Sequence, residues 1–169
     1  MSERILKALM QLFAIIAKVD GITNNGRAIV QSFLKQQLNQ ELVDQYLKIF
    51  DEFLEVQQQG SKKKDGSAKK TSMNSVKVLK ICTQINAELE QKQKVVVLIR
   101  LLEFINSSGE ISAQELEFVS TVAETFNIEE QEFIRCMNFV KSTVNDTPES
   151  SKILVVDNNK TNAYSNFTK

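Results

Sequence analysis

Few residues in this chain of 169 have side chains suited to catalysis. There is no histidine, which excludes Ser-His-Asp and Cys-His nucleophile arrangements and histidine-ligated zinc sites. The two cysteines, Cys82 and Cys136, stand beside Ile81 and Met137 on apolar helical faces, where an unpaired cysteine behaves as a small buried hydrophobe. Two such thiols fit a reducing cytoplasm better than a disulfide framework.

Acidic side chains are the remaining candidates for chemistry. The adjacent pairs Asp51-Glu52 and Glu129-Glu130 could suggest acid-base catalysis, but neighbouring residues on a helix point apart, which favours solvated faces. No Gly-x-x-x-x-Gly-Lys-Ser/Thr phosphate loop occurs either. An enzyme is therefore the least favoured of the function classes considered for this segment.

Charge and hydropathy indicate a protein partner. The 21 basic and 21 acidic side chains cancel, so no overall field attracts nucleic acid or an anionic membrane. The lysines of residues 62–70 have no interleaved aromatic side chain on which bases could stack, which is typical of a solvated loop. The longest apolar run, residues 95–99, is far too short to cross a bilayer. We expect a soluble, cytoplasmic domain without direct membrane insertion.

A sequence pattern that occurs twice indicates how the helices of the chain are organised. An apolar helix, a short glycine turn and an amphipathic helix are found in LFAIIAKVDGITNNGRAIVQSFL (12–34) and again in RLLEFINSSGEISAQELEFVSTVA (100–123). Gly21 of the first copy matches Gly109 of the second, 88 residues later. The repeat predicts a helical domain built from two halves.

Periodicity predicts an all-α bundle of about seven helices. In the first helix, residues 3–19, apolar side chains recur every three or four residues and polar side chains lie on the other face. We expect the apolar face to be buried and the polar face to be solvated. The fifth helix, residues 94–106, is apolar nearly all round, and we expect it to be the central, most buried element. Ser112 and Glu115 form a capping box that predicts where the sixth helix begins.

Composition divides the chain into a helical domain, residues 1–145, and a tail, residues 146–169. Within the domain, Gly, Ser and Lys dominate residues 59–72, which predicts a mobile linker between halves 1–58 and 73–145. In the β-prone tail, the apolar run of residues 153–156 precedes Asp-Asn-Asn and indicates a strand. Because a lone strand is unstable, we expect the tail to be a linker and the first strand of a following domain.

These motifs resemble a known family. A helix that ends in Val-Asp-Gly, the capped helix after it, and Ser-Gly-Glu-Ile-Ser-Ala-Gln-Glu in the second half are similar to TerB-like domains, the all-helical domains named from bacterial tellurite resistance. The stretches MSERILKALMQLFAIIAKVDGITNNGR (1–27) and VKVLKICTQINAELEQKQKVVVLIRLLEFINSSGEIS (76–112) resemble more narrowly the amino-terminal region of large Bacteroidetes transport proteins. The resemblance covers about residues 3–144.

The narrower resemblance implies a function. In such proteins the TerB-like region precedes a forkhead-associated-like module, an ABC-type ATPase and membrane helices. It implies a non-catalytic regulatory or protein-interaction domain whose partners are its own ATPase or forkhead-associated-like domains, or another protein, in a full-length protein at the inner membrane. The alternative is a free-standing, metal-responsive stress protein of the tellurite-resistance kind.

The resemblance also implies a divalent-cation site, carried over only in part. Asp20 matches the acidic residue of the first turn and Glu115 the glutamate of the second half, with Glu110 nearby. Gly26 and Ser108 stand where the other two acids would be. Asp20 as a turn residue and Glu115 as a capping-box acid are equally explained without a metal, and no cofactor is expected in this segment beyond such a cation.

Overall fold

The computed structural model describes residues 1–17, 24–62 and 67–145, which form seven helices. These are α1 (Glu3–Ala17), α2 (Asn24–Lys35), α3 (Gln40–Lys62), α4 (Ser67–Glu88), α5 (Gln91–Asn106), α6 (Ala113–Thr125) and α7 (Glu130–Asn145). This part of the chain contains no strand, which confirms the predicted all-α bundle. No helix among these residues is both long and apolar enough to cross a membrane.

The two halves have related packing. In the first half α3 packs against both α1 and α2, and in the second half α7 packs against both α5 and α6. The fourth helix, α4, has no counterpart in the first half and contacts α1 on one side and α6 on the other. Together with the contact between α2 and α5, it joins the halves into one core.

The most buried helix is α1, so the prediction that the fifth helix is central was wrong. In α1 every side chain from Ile5 to Ala17 is buried except the exposed Lys7 and the partly buried Gln11. Polar side chains therefore cover only a narrow stripe, and α3, α4 and α5 pack around the rest. Of the predicted wet face, Arg4 and Lys7 are exposed and Gln11 is partly buried, whereas Lys18 lies outside the described residues.

The fifth helix is buried on one side and exposed on the other. It is buried through Val97, Leu98, Leu101 and their neighbours, but Val96 is exposed. Its composition suggested burial on all sides because Val, Leu and Ile occur at every angle. The helix nevertheless keeps one side toward solvent, because its neighbours α2, α6, α7 and α1 do not surround it completely.

Three aromatic rings join the halves at the centre of the bundle. Phe13 of α1 lies between Phe33 of α2 and Phe104 of α5, with ring centroids 6.2 Å and 5.5 Å away. The rings are tilted by 50° and 60°, in the range of geometries that aromatic pairs prefer. This cluster ties the glycine-turn helices of both halves to one another.

Helices extend into the segment predicted to be a linker. The third helix continues to Lys62 and the fourth begins at Ser67, so most of residues 59–72 is helical. Lysine, glutamine and alanine are good helix formers, which explains how a segment with little apolar surface continues two packed helices. Residues 63–66 lie outside the described residues, and the division into halves 1–58 and 73–145 stays a prediction.

Candidate functional site

The turn between α5 and α6 carries the site residues that the structure describes. Gly109 has a φ of +92°, a conformation that residues with a side chain rarely adopt. The Ser108 hydroxyl donates to the carbonyls of Ile105 (3.2 Å) and Glu110 (3.0 Å), so the position expected to hold an acid is instead a hydroxyl that closes the turn.

Glu115 is committed to the start of α6. Its Oε2 accepts hydrogen bonds from the backbone N–H of Ser112 (2.9 Å) and from the Ser112 hydroxyl (2.9 Å). In return, the Ser112 hydroxyl oxygen accepts from the Glu115 backbone N–H at 3.3 Å. The predicted capping box is therefore confirmed. Glu115 is 6% exposed, and its carboxylate stabilises the start of the helix by accepting these hydrogen bonds.

Among the described residues, no cluster of acidic side chains surrounds Glu115. Glu110 is exposed, and among the described residues no three His, Cys, Asp or Glu side chains are close enough to hold a metal ion. Gly26 lies in the first turn of α2 and contributes no carboxylate. Asp20 lies outside the described residues, so its part in a cation site stays untested.

The two thiols are buried in the core. Burial raises the pKa of Cys82 to about 12, and the pKa of Cys136 is raised by burial and by the nearby Glu132 carboxylate. Because the thiolate is the reactive form, both side chains are poor nucleophiles at neutral pH. Their prediction as small hydrophobes agrees with this placement.

The two adjacent acidic pairs lie on α3 and at the start of α7. Asp51 forms an ion pair with Arg27 and so links α3 to α2, whereas Glu52 is exposed. Glu129 and Glu130 are both exposed at the start of α7. Three of these four side chains are exposed, in agreement with the prediction of solvated faces, whereas Asp51 is partly buried and paired.

Sequence reasoning missed a polar junction at the far end of α6. The Asn86 side-chain amide donates to the Thr125 carbonyl, and that of Gln91 donates to the carbonyls of Phe126 (3.2 Å) and Asn127 (3.3 Å). These donors satisfy carbonyls that the end of a helix leaves unpaired. The left-handed Asn127 (φ 54°), a common helix stop, was the one local signal of this end.

A second missed cluster fixes the amino terminus of α1. The Ser2 hydroxyl donates to Glu88 Oε2 and accepts from the Ile5 backbone N–H at 3.3 Å. Arg4 Nε lies 3.8 Å from Glu88 Oε1. The end of α4 is thereby attached to the start of the most buried helix.

Comparison with known proteins identifies a family. The family model described as "Tellurite resistance protein TerB" matches residues 6–138, which includes all of α2 to α6 and most of α1 and α7. No curated protein and no solved structure matches the chain.

Proposed function

Because the chain belongs to the TerB family, we propose that its helical domain is a non-catalytic regulatory or protein-interaction module at the N-terminus of a multidomain ABC-type transport ATPase. The family consists of helical, non-enzymatic domains. Under this proposal the domain acts by docking to its own ATPase or forkhead-associated-like domains, or to another protein.

One observation carries the proposal: four of the side chains that could do chemistry in the described residues are held in structural contacts or in the core. Glu115 caps a helix, Asp51 pairs with Arg27, and the thiols of Cys82 and Cys136 are buried. The domain therefore offers mainly its helix surfaces, which suit recognition of another protein.

The narrower assignment to a transport ATPase is supported by sequence alone. Residues 1–27 and 76–112 resemble the amino-terminal region of such proteins, and the apolar run of residues 153–156 follows the helical domain. In this proposal the ATPase, the membrane attachment and the inner-membrane location belong to other domains of the full-length protein, while this domain stays on the cytoplasmic side.

The reading frame after Lys169 tests the architecture, and ATP hydrolysis tests the role. We expect the frame to continue into a forkhead-associated-like module and an ATPase, and deletion of residues 1–145 to change the ATP hydrolysis rate of the purified full-length protein several-fold. Substituting Lys48 by Ala, an exposed position on α3, is the control and leaves the rate unchanged. A frame without an ATPase, or a rate unaffected by the deletion, contradicts the proposal.

The alternative function is a free-standing, metal-responsive stress protein. The description of the matching family, tellurite resistance, favours it. It requires a cation site that brings Asp20 together with Glu115 or Glu110, and a reading frame that ends near Lys169. The cation titration described below separates the two proposals.

A further inference from the structure

A lysine is buried on the core-facing side of α5. Among the described residues, the buried charged side chains are Lys94, which is 9% exposed, and Glu115. Lys94 is the fourth residue of α5, and Leu98 and Leu101, four and seven residues later on the same helix face, are 0% exposed. The stem of this lysine therefore continues a stripe of core side chains, at a position where an apolar residue is the usual choice.

The ammonium group of Lys94 has no partner in the part of the chain that the structure describes. It forms no ion pair or side-chain hydrogen bond there, whereas the Glu115 carboxylate accepts two hydrogen bonds. Glu90, four residues earlier, has the spacing of a helical ion pair with Lys94, but it forms a capping box with Gln93 instead. A lysine ammonium has three donor hydrogens and no acceptor, so it requires negatively charged or lone-pair oxygens.

The ammonium group remains within reach of a small ion. In the described residues, the buried side-chain nitrogen or oxygen atom without a partner is Asn86 Oδ1, so Lys94 Nζ is not completely enclosed. The buried stem nevertheless keeps much of the surrounding water away. A charge in a partly desolvated place attracts an opposite charge more strongly than it would on an open surface.

The start of α5 adds a second positive contribution. This helix has 16 residues, and the N-terminus of a helix carries a partial positive charge that favours anions. Lys94 stands about 4.5 Å along the helix axis from Gln91, and helical side chains lean toward the N-terminus. We therefore expect the ammonium and the positive end of the helix to act on the same place.

We propose that the Lys94 ammonium and the first turn of α5 bind a small oxyanion. The group recognised is a charged oxygen that accepts hydrogen bonds from the ammonium, as in a phosphate or a carboxylate. Phosphate is favoured because it carries more charge. The site is independent of the acidic turn at Gly109 and of any docking partner.

Acidic side chains at the same end of the bundle limit the affinity. Gln91 contacts the carbonyl of Asn127, which places the exposed Glu129 and Glu130 near the start of α5, and the exposed Glu90 precedes that helix. Their charges oppose the anion, so we expect a dissociation constant for phosphate on the order of 1 mM.

Thermal melting of the 169-residue chain, with inorganic phosphate as the probe, tests the site. At constant pH, and at constant ionic strength maintained with chloride, we expect about 20 mM phosphate to raise the melting temperature by roughly 4 to 7 °C. Lys94→Met keeps the length of the stem but removes the charge, and it should lose this rise. Without phosphate the variant should be at least as stable as the parent chain, since an unpartnered charge is no longer buried.

Lys48→Met is the matched control, because it removes a lysine charge from an exposed position of α3 and should keep the full rise. Phosphate also stabilises proteins in general, by exclusion from their surface, and that effect would raise the melting temperature of all three chains alike. An equal rise in Lys94→Met, or no rise in the parent chain, would overturn the proposal.

Nuclear magnetic resonance of the parent chain gives a readout that needs no variant, in case Lys94→Met fails to fold. The amide signals of residues 91–95 should shift with phosphate and reach half of their full change at about 1 mM. Acetate as a second probe distinguishes the source of the oxyanion: weaker binding than phosphate identifies a phosphate group, and equal or tighter binding identifies a carboxylate. Saturable shifts that leave residues 91–95 unchanged would overturn the proposal.

Discussion

At the scale of single residues, the hydrogen bonds that Glu115 already accepts limit its ability to bind a cation. One carboxylate oxygen accepts two hydrogen bonds from Ser112, and Glu115 is a buried residue of the first turn of α6. A bound cation would have to compete with those donors or use the other oxygen. Hard cations such as Mg²⁺ and Ca²⁺ need several oxygen ligands, and affinity rises with the number of charged ligands.

We therefore predict no Mg²⁺ or Ca²⁺ site tighter than about micromolar, because Gly26 and Ser108 stand where two further acids would be needed. Isothermal titration of the purified domain measures the affinity, and any bound ion also raises the melting temperature by mass action. A single saturable site that Asp20→Asn and Glu115→Gln each abolish would contradict the prediction. Glu117→Gln, on an exposed position of the same helix, is the control.

The capping box could be predicted from the sequence because its two partners are three residues apart and meet whenever a helix begins there. The contacts of Asn86 and Gln91 with the end of α6 could not, since their partners are 35 to 39 residues away in the chain.

At the scale of helices, burial follows the number of neighbours more closely than composition. The fifth helix is richer in Val, Leu and Ile around its circumference, yet α1 is more completely buried, because α3, α4 and α5 pack on different sides of it. Alanines at positions 8, 14 and 17 are buried there, and small side chains allow a close approach of neighbouring helices. The periodic pattern could predict the helices, but it could not predict which helices pack against one another.

The central position of α1 makes Phe13 a sensitive site. We predict that Phe13→Ala lowers the free energy of unfolding by about 3 to 5 kcal/mol, since a fully buried ring in contact with two others leaves a cavity. Leu101→Ala, in α5, is expected to cost about 2 to 5 kcal/mol. Urea denaturation measures both.

Lys48→Ala is the control for these core substitutions, because Lys48 is exposed on α3 and its change is expected to be nearly neutral. If Phe13→Ala cost no more than Lys48→Ala, the packing of α1 at the centre of the bundle would be wrong.

At the scale of the whole molecule, α4 holds the halves together. It packs against α1 and α6, and its last turn is fixed to the start of α1 through Glu88, Ser2 and Arg4. The contact between α2 and α5 provides a second connection, near the rings of Phe33 and Phe104. We therefore expect the association of the halves to depend on contacts between helices and to persist without an intact connection between α3 and α4.

This arrangement predicts the outcome of limited trypsin digestion. Five lysines lie within residues 62–70. Among the side chains that the structure describes, the last buried one of α3 is Leu54 and the first buried one of α4 is Val78. Because a helix end far from the core opens at little cost in free energy, we expect the first cuts among these lysines. The two fragments should still elute together in size-exclusion chromatography, because the contacts of α4 with α1 and of α2 with α5 survive the cut. Replacing the five lysines by glutamine is the control and should delay the first cut; first cleavage at Arg27 or Lys48 in the parent chain, or separation of the fragments without denaturant, would show that the connection itself holds the domain together.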